Sequence, residues 1–385
     1  MEEATDCTAG NAVCMSLDER FAIMRSIGLE SIAEDAVRRL LDKKVAPVCY
    51  VWCDPSPCVH IAQGIMMVIN VRKMVKAGCR VKILIADWFA RIQNKFDGDL
   101  TKIRTIGFYM IEIWKAVGLE LNGVEFIWLS DVINKRSDEY WALVMDISRN
   151  NTLRTMIRSR CCGILDPYIL NEDIIPEDMD SYDPIDVTAS TLFTPCVHCA
   201  GILFQKADIW LLSMDHEEDL HDKLIRQYCK GMEFENKPII LSRNKLPNLI
   251  EYPEFAKNGD PAWAIFMEEL EANVSEKIMK AFCPAKVAEG NPCLEYIKYV
   301  VFPWFGYFEV LRKEENGGSR TFQNMEDLIT DYESGALHAA EVKLALTEAL
   351  NKILKPVRDH FANNCEAKNL QEAMWEYPSG CRGWV

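Results

Sequence analysis

The segment RVKILIADW (80–88) is apolar almost without interruption. A strand that does not alternate polar with apolar residues must be covered on both faces, which is the condition of a parallel strand sandwiched between helices. APVCYVW (46–52), VEFIWLS (124–130), ADIWLLS (207–213) and KPIILS (237–242) are short runs of the same kind. Between them lie stretches of helical period, from about His60 to Lys76, over 100–118, over 137–150 and from about Glu217 to Lys230. Gly118 is suited to cap the second of these. Two capping boxes, Ser16 to Glu19 and Ser31 to Glu34, open helices ahead of the first strand. Strands alternating with helices predict an α/β domain with a doubly wound parallel sheet. From about Ser275 to Cys365 helical segments dominate, which predicts a second, α-helical domain. The expected division is an N-terminal extension (1–14), the α/β domain (15–262), the helical domain (263–365) and a C-terminal tail (366–385).

With 58 acidic and 43 basic residues, the chain carries a formal net charge of -15. Such a surface repels phosphate backbones unless a local basic patch overrides it. The 15 cysteines sit mostly in apolar stretches, as Cys49, Cys79 and Cys229 do, and read as small buried hydrophobes in a reducing compartment. No apolar run approaches the ~20 residues needed to cross a bilayer. The first residues are acidic and polar, unlike a signal or transit peptide. The expectation is a cytoplasmic protein without membrane attachment. Residues 163–190 hold eight acidic side chains, three prolines and no Lys or Arg. They read as an acidic insertion, and their irregular carboxylate spacing favours a solvated loop over a lid or a metal site.

In a doubly wound sheet, ligands bind beyond the carboxyl ends of the strands. The first strand is followed by Asp54-Pro55-Ser56-Pro57-Cys58-Val59 and then by His60-Ile61-Ala62-Gln63-Gly64. The last five residues resemble the HIGH-type signature of class I aminoacyl-tRNA synthetases, whose His sits at a helix start and stabilises ATP phosphates. RVKILIADWFARIQNK, SDEYWALVMDISR, NPCLEYIKYVVFPWF and ALNKILKPVRDHF resemble the tyrosyl-tRNA synthetases of the eukaryotic and archaeal type. The resemblance covers roughly residues 15–365. It implies a Rossmann-type class I catalytic domain, a helical anticodon-binding domain and a homodimer built near residues 100–160. The apolar face of helix 100–118 (Ile103, Ile106, Met110, Ile113, Trp114) is the expected isologous contact.

Departures from the family pattern fall on its working residues. Where the KMSKS loop belongs, the chain has Phe255-Ala256-Lys257-Asn258-Gly259, with Lys257 one place out of register. The family's tyrosine-binding Tyr, Gln and Asp are Thr194, His198 and Gly201. A further Gln on the next strand is Leu211, and a Gly beside the substrate is Trp52, while Tyr50 is retained. Asp215 survives near the ribose site. In the anticodon domain, Asn316 replaces a stacking aromatic and Glu341 the base-reading Asp. Residues 275–365 carry 11 basic and 13 acidic side chains, so this part has no net positive charge.

Altered together, these elements of one machine predict that tyrosine activation and tRNA charging are lost and that the pocket binds or transforms another small molecule by acid–base chemistry. The alternatives are a non-catalytic scaffold and a residual tyrosine–tRNA ligase. His198 is the expected acid or base, with His60, Asp54 or Tyr50 as partner. The expected substrate pocket is Tyr50, Trp52, Thr194, His198, Gly201 and Leu211, and the former nucleotide site is His60, Gly64, Asp215 and Lys257. Cys196 and Cys199 invite a zinc reading, but inherited core cysteines explain them better. No metal and no cofactor are expected, ATP is not expected to be used, and tRNA binding is expected to be weak or lost.

Overall fold

The computed structural model describes residues 15–28, 34–152, 156, 188–212, 224–225, 227–230, 237–250, 264–312 and 318–377. Asp215, Lys257, Asn316, residues 1–14, most of the acidic insertion and the last eight residues of the tail lie outside these. The described residues form two compact units, each discontinuous in sequence. The first draws on Met1–Pro55, Lys73–Arg104 and Leu121–Arg243, the second on Ser56–Arg72, Thr105–Glu120 and Asn244–Val385.

The first unit is built on five parallel strands: β1 (Val48–Cys53), β2 (Arg80–Ile85), β3 (Val124–Trp128), β4 (Ile209–Leu212) and β5 (Ile239–Ser242). Their order is β3-β2-β1-β4-β5. The chain changes direction of winding between β1 and β4, and this switch point opens a crevice at the carboxyl ends of those two strands. The doubly wound α/β sheet expected from the apolar runs is present. Ahead of β1 stand α1 (Leu17–Arg25) and α2 (Glu34–Lys43). The Ser16–Glu19 capping box closes α1 as read from the sequence, whereas Ser31 lies outside the described residues.

Side chains on a strand alternate between faces. On one face of the sheet, Tyr50, Trp52, Leu84, Trp210, Leu212 and Ile240 join a buried core with two helices. These are the helix Ser137–Arg149, which supplies Tyr140, Val144 and Ile147, and the helix Ala189–Phe204, which supplies Cys196, Val197, Cys199, Ala200 and Leu203. We number the helices in chain order. Those following α2 are α3 (Met67–Lys76), α4 (Asp87–Ile92), α5 (Leu100–Ala116), α6 (Leu129–Lys135), α7 (Ser137–Arg149) and α8 (Ala189–Phe204).

The second unit is mostly helical. Its longest element, α13 (Ala339–Asn363), follows α9 (Glu271–Lys280), α10 (Pro292–Tyr296), α11 (Phe302–Phe305) and α12 (Met325–Ser334), and precedes α14 (Cys365–Trp375). Val342, Leu346, Leu350, Ile353, Val357 and Phe361 form the buried stripe of α13, at the three- and four-residue spacing of an amphipathic helix. No described helix is long and apolar enough to cross a membrane.

The expected dimer face of α5 needs correction. Ile103, Ile106, Met110, Ile113 and Trp114 are all 0% exposed within the single chain. A side chain with no accessible surface has none to give to a second copy. The helical period was right, and the face it marked is the one the protomer buries for itself. On α7, Trp141 and Met145 are instead 38% and 60% exposed and lie one turn apart.

Candidate active site

At the switch point, β1 directs Tyr50 and Trp52 to the same face, toward α8. The Tyr50 ring lies 4.8 Å from that of Trp210, and its hydroxyl donates to Gln205 Oε1 at 3.4 Å. Burial, and then the charge of Glu125, raise the Tyr50 phenol above its ordinary pKa, with Arg136 opposing them. The Trp52 indole is 5% exposed. Its Nε1 donates to Asp54 Oδ1 at 3.0 Å, and Lys95 stands 4.0 Å from the other Asp54 oxygen.

Helix α8 brings Thr194, His198 and Gly201 to successive turns. The Thr194 hydroxyl donates back to the Ser190 carbonyl at 2.8 Å, inside its own helix. The His198 ring meets Trp52 edge-on at 4.4 Å and lies 5.0 Å from Phe89, with the residue 1% exposed. At Gly201, an added Cβ would come within 3.3 Å of Trp52 Cζ3 and 3.4 Å of Cη2. The indole therefore lies where a side chain at position 201 would begin. The large residue at 52 and the missing side chain at 201 accommodate one another.

Of the six expected pocket residues, Tyr50, Trp52, His198 and Gly201 come together, and Thr194 stands one helical turn before His198. Leu211 does not join them. Tyr50 pairs with Trp210 in the sheet register and Val51 with Leu211. Residues in register on parallel strands face the same way, so Leu211 points to the side of the sheet opposite Tyr50 and Trp52. Trp210 takes the pocket-side place, fully buried.

Two features escaped the sequence reading. Phe89 packs at 5.4 Å against Trp52, at nearly right angles. Asp87, also fully buried, closes the carboxyl end of β2. It accepts from the Ser130 backbone N–H at 2.9 Å and from the Ser130 hydroxyl at 2.5 Å. Arg104 reaches Asp131 at 3.0 Å beside it. Burial raises the Asp87 pKa, against the hydrogen bonds from Ser130 that lower it. The signal in the sequence was a lone carboxylate directly after an unbroken apolar run.

In the second unit, the His60 carbonyl accepts from both Gln63 and Gly64 N–H at 2.9 Å, which starts the helical turn. His60 also forms an isolated antiparallel bridge with Phe266. Gly64 is a contact point. A Cβ there would fall 2.2 Å from Met267 Sδ, so the missing side chain lets the turn lie against Met267. Among the described residues, no three His, Cys, Asp or Glu side chains gather as a metal site.

The chain's relatives bear on what this arrangement does. The family model for class I tRNA synthetases (W and Y) matches residues 43–355. Tyrosine–tRNA ligase 1, cytoplasmic, of Arabidopsis thaliana is 48% identical over 375 residues, which cover 97% of this chain and 93% of that protein. Tyrosine–tRNA ligase 2, cytoplasmic, of the same plant is 46% identical, but the match spans only 48% of its length. A Leishmania major tyrosyl-tRNA synthetase in complex with tyrosinol superposes with a TM-score of 0.80 at 35% identity, over 95% of this chain and 53% of that one.

This similarity overturns the expectation that tyrosine activation and tRNA charging are lost, and with it the repurposed acid–base enzyme and the weakened tRNA binding. The Trp52 indole and Gly201 fit against one another, Leu211 is not on the pocket face, and the His198 ring packs between Trp52 and Phe89. By its sequence and its fold, the chain belongs to the tyrosyl-tRNA synthetase family of class I.

Proposed function

We propose that this protein is a tyrosine–tRNA ligase. The observation that carries the reading is the near-full-length similarity to a cytoplasmic tyrosine–tRNA ligase, supported by a parallel sheet whose crevice opens beside the retained Tyr50. In the first step the tyrosine carboxylate attacks the α-phosphorus of ATP, and pyrophosphate leaves with the electron pair of the broken P–O bond. In the second, a ribose hydroxyl of tRNA attacks the activated carbonyl carbon, and AMP departs. ATP is thus a substrate in this reading, which replaces the expectation that it is not used, and no resident cofactor or metal is assigned.

We assign Tyr50, Trp52, Thr194, His198 and Gly201 to the amino-acid side, with Trp52 bounding the volume open to the substrate. His60, Gly64, Asp215 and Lys257 are assigned to the nucleotide side. A helix start with a partly buried His60 suits it to developing phosphate charge. We assign residues 15–262 to the catalytic domain and 263–365 to the domain that takes the anticodon arm. The protein acts in the cytoplasm as a homodimer, for which the exposed Trp141 and Met145 of α7 are the apolar residues with surface to contribute.

The test is tyrosine-dependent exchange of labelled pyrophosphate into ATP, followed by charging of a tyrosine tRNA by the purified chain. Exchange and charging above an amino-acid-free control are expected. A folded, dimeric preparation that supports neither reaction at saturating tyrosine and ATP would overturn the proposal.

A further inference from the structure

Within the second unit, the turn that carries His60 is paired with the segment Ala264, Ile265, Phe266 and Met267, all four of them buried. The Ile61 N–H donates to the Ile265 carbonyl at 2.8 Å, and the Met267 N–H donates to the Val59 carbonyl at 2.9 Å. His60 bridges Phe266 between these two bonds, and Gly64 lies against Met267. Val59 and Ile61 are themselves buried. The place of His60 therefore follows the place of this segment.

The segment is held in turn by side chains from two helices. Lys277 of α9 donates to the Ala264 carbonyl at 2.9 Å and pairs with the Glu269 carboxylate, so one ammonium group grips both ends. Its Nζ also stands 4.7 Å from the centre of the Phe266 ring. Arg358 of α13 donates Nε to the Glu269 carbonyl at 2.6 Å and Nη2 to Asn351 Oδ1 at 2.7 Å, with Nη1 3.5 Å from Glu271. The Glu269 side chain is 0% exposed. A buried ion pair is a poor source of stability, because desolvation commonly cancels the attraction. The second carboxylate oxygen of Glu269 has no hydrogen-bond partner among the described residues, so its desolvation is not recovered in full. What the pair does supply is a fixed path for the main chain it touches.

We propose that Glu269 is a positioning residue for tyrosine activation, which with Lys277 and Arg358 holds the segment 264–267 and, through it, the His60 turn. This role rests on the ligase reading and on the place of His60 on its nucleotide side. A group that meets developing phosphate charge acts within hydrogen-bond distance, and a misplacement of about 1 Å can cost ~10²-fold in rate. Glu269 acts through the main chain and not on the substrate. Its partners come from α9 and α13, so the helices of residues 263–365 take part in aligning the nucleotide side.

Tyrosine-dependent pyrophosphate exchange by the full-length protein provides the test. Glu269→Gln should lower kcat at least about tenfold. The KM for tyrosine should change by less than about twofold, because Tyr50, Trp52 and His198 belong to the other unit. Arg358→Ala, at a side chain that is 15% exposed, should act in the same direction, and it carries the test alone if circular dichroism shows Glu269→Gln unfolded. The decisive comparison is made in a His60→Asn background. With the positioned imidazole gone, Glu269→Gln should cost less than about twofold, whereas a merely structural role would cost the same in both backgrounds. An active wild type with undiminished exchange in the variants, or equal losses with and without His60, would overturn the positioning role and leave the ligase reading standing. A wild-type chain without exchange would remove both.

Discussion

Replacing Gly201 by Ala tests the fit between α8 and Trp52 with a single methyl group. In a helix interior this exchange ordinarily stabilises by ~1 kcal/mol, because Gly leaves the backbone too free. Here the new Cβ meets two indole carbons at 3.3 and 3.4 Å and Leu129 Cδ1 at 3.8 Å. The comfortable carbon–carbon separation is about 3.5–4.0 Å, so the indole must retreat by a few tenths of an ångström. It has little freedom to do so, held by Asp54 at Nε1 and packed against His198 and Phe89. Overpacking of this kind costs ~1–3 kcal/mol, enough to cancel or reverse the helical gain. In a Trp52→Val background the indole is gone. That variant alone should lose ~3–5 kcal/mol to the cavity, but Gly201→Ala within it should stabilise by the full ~1 kcal/mol. The coupling between the two sites is therefore ~1–3 kcal/mol. Urea unfolding of the four proteins, followed by far-ultraviolet circular dichroism so that the loss of an indole does not alter the signal, measures it. An effect of Gly201→Ala that agrees in both backgrounds within ~0.5 kcal/mol would refute the mutual fit.

Glu268 accepts hydrogen bonds from the Tyr109 hydroxyl and the Gln371 amide, and burial raises its pKa to about 7 from 4.5. The native state then holds a proton that the unfolded chain releases, so stability should fall as pH rises from about 4.5 to about 7, by up to ~3 kcal/mol. Glu268→Gln should flatten that part of the stability–pH curve, and an unchanged curve would exclude Glu268 as its source. Gly64→Ala should cost ~1–3 kcal/mol through its collision with the buried Met267, and that cost should shrink in thermal denaturation when it is measured in a Met267→Ala background. Met145→Asp, on the exposed face of α7, should shift the protein toward monomer in light scattering at micromolar concentration while leaving its circular dichroism unchanged; a dimer as tight as wild type would remove α7 from the interface.

Much of the architecture was legible because it rests on local patterns. Strands buried on both faces need apolar runs, and 83–86 and 209–212 displayed them. The helix following His60 and the capping box of α1 depend on residues only three or four apart. What the sequence did not disclose depends on partners far away in the chain. The face on which Leu211 lies follows from its register with Val51, about 160 residues earlier, and a shift of one residue inverts the answer. The apolar stripe of α5 had the right period, but period alone does not distinguish a face buried in its own protomer from one buried in a second. Asp87 becomes a buried hydrogen-bond acceptor only once β3 delivers Ser130 to it.

The same dependence on distant partners governs the residues around Trp52. A Trp placed where the surroundings expect Gly is a clash, and a Gly placed where they expect Asp is a void with an unpaired partner. Neither description fits the folded chain, in which the indole of Trp52 lies over Gly201 and the ring of His198 closes on it from the next turn of α8. Contacting residues do not contribute additively, and a pair that changes together can keep packing that either change alone would destroy. Trp52, His198 and Gly201 thus form one packed cluster on the sheet. How this cluster shapes the room left for an amino acid beside Tyr50 is a question about one packed unit, to be answered by varying its members together.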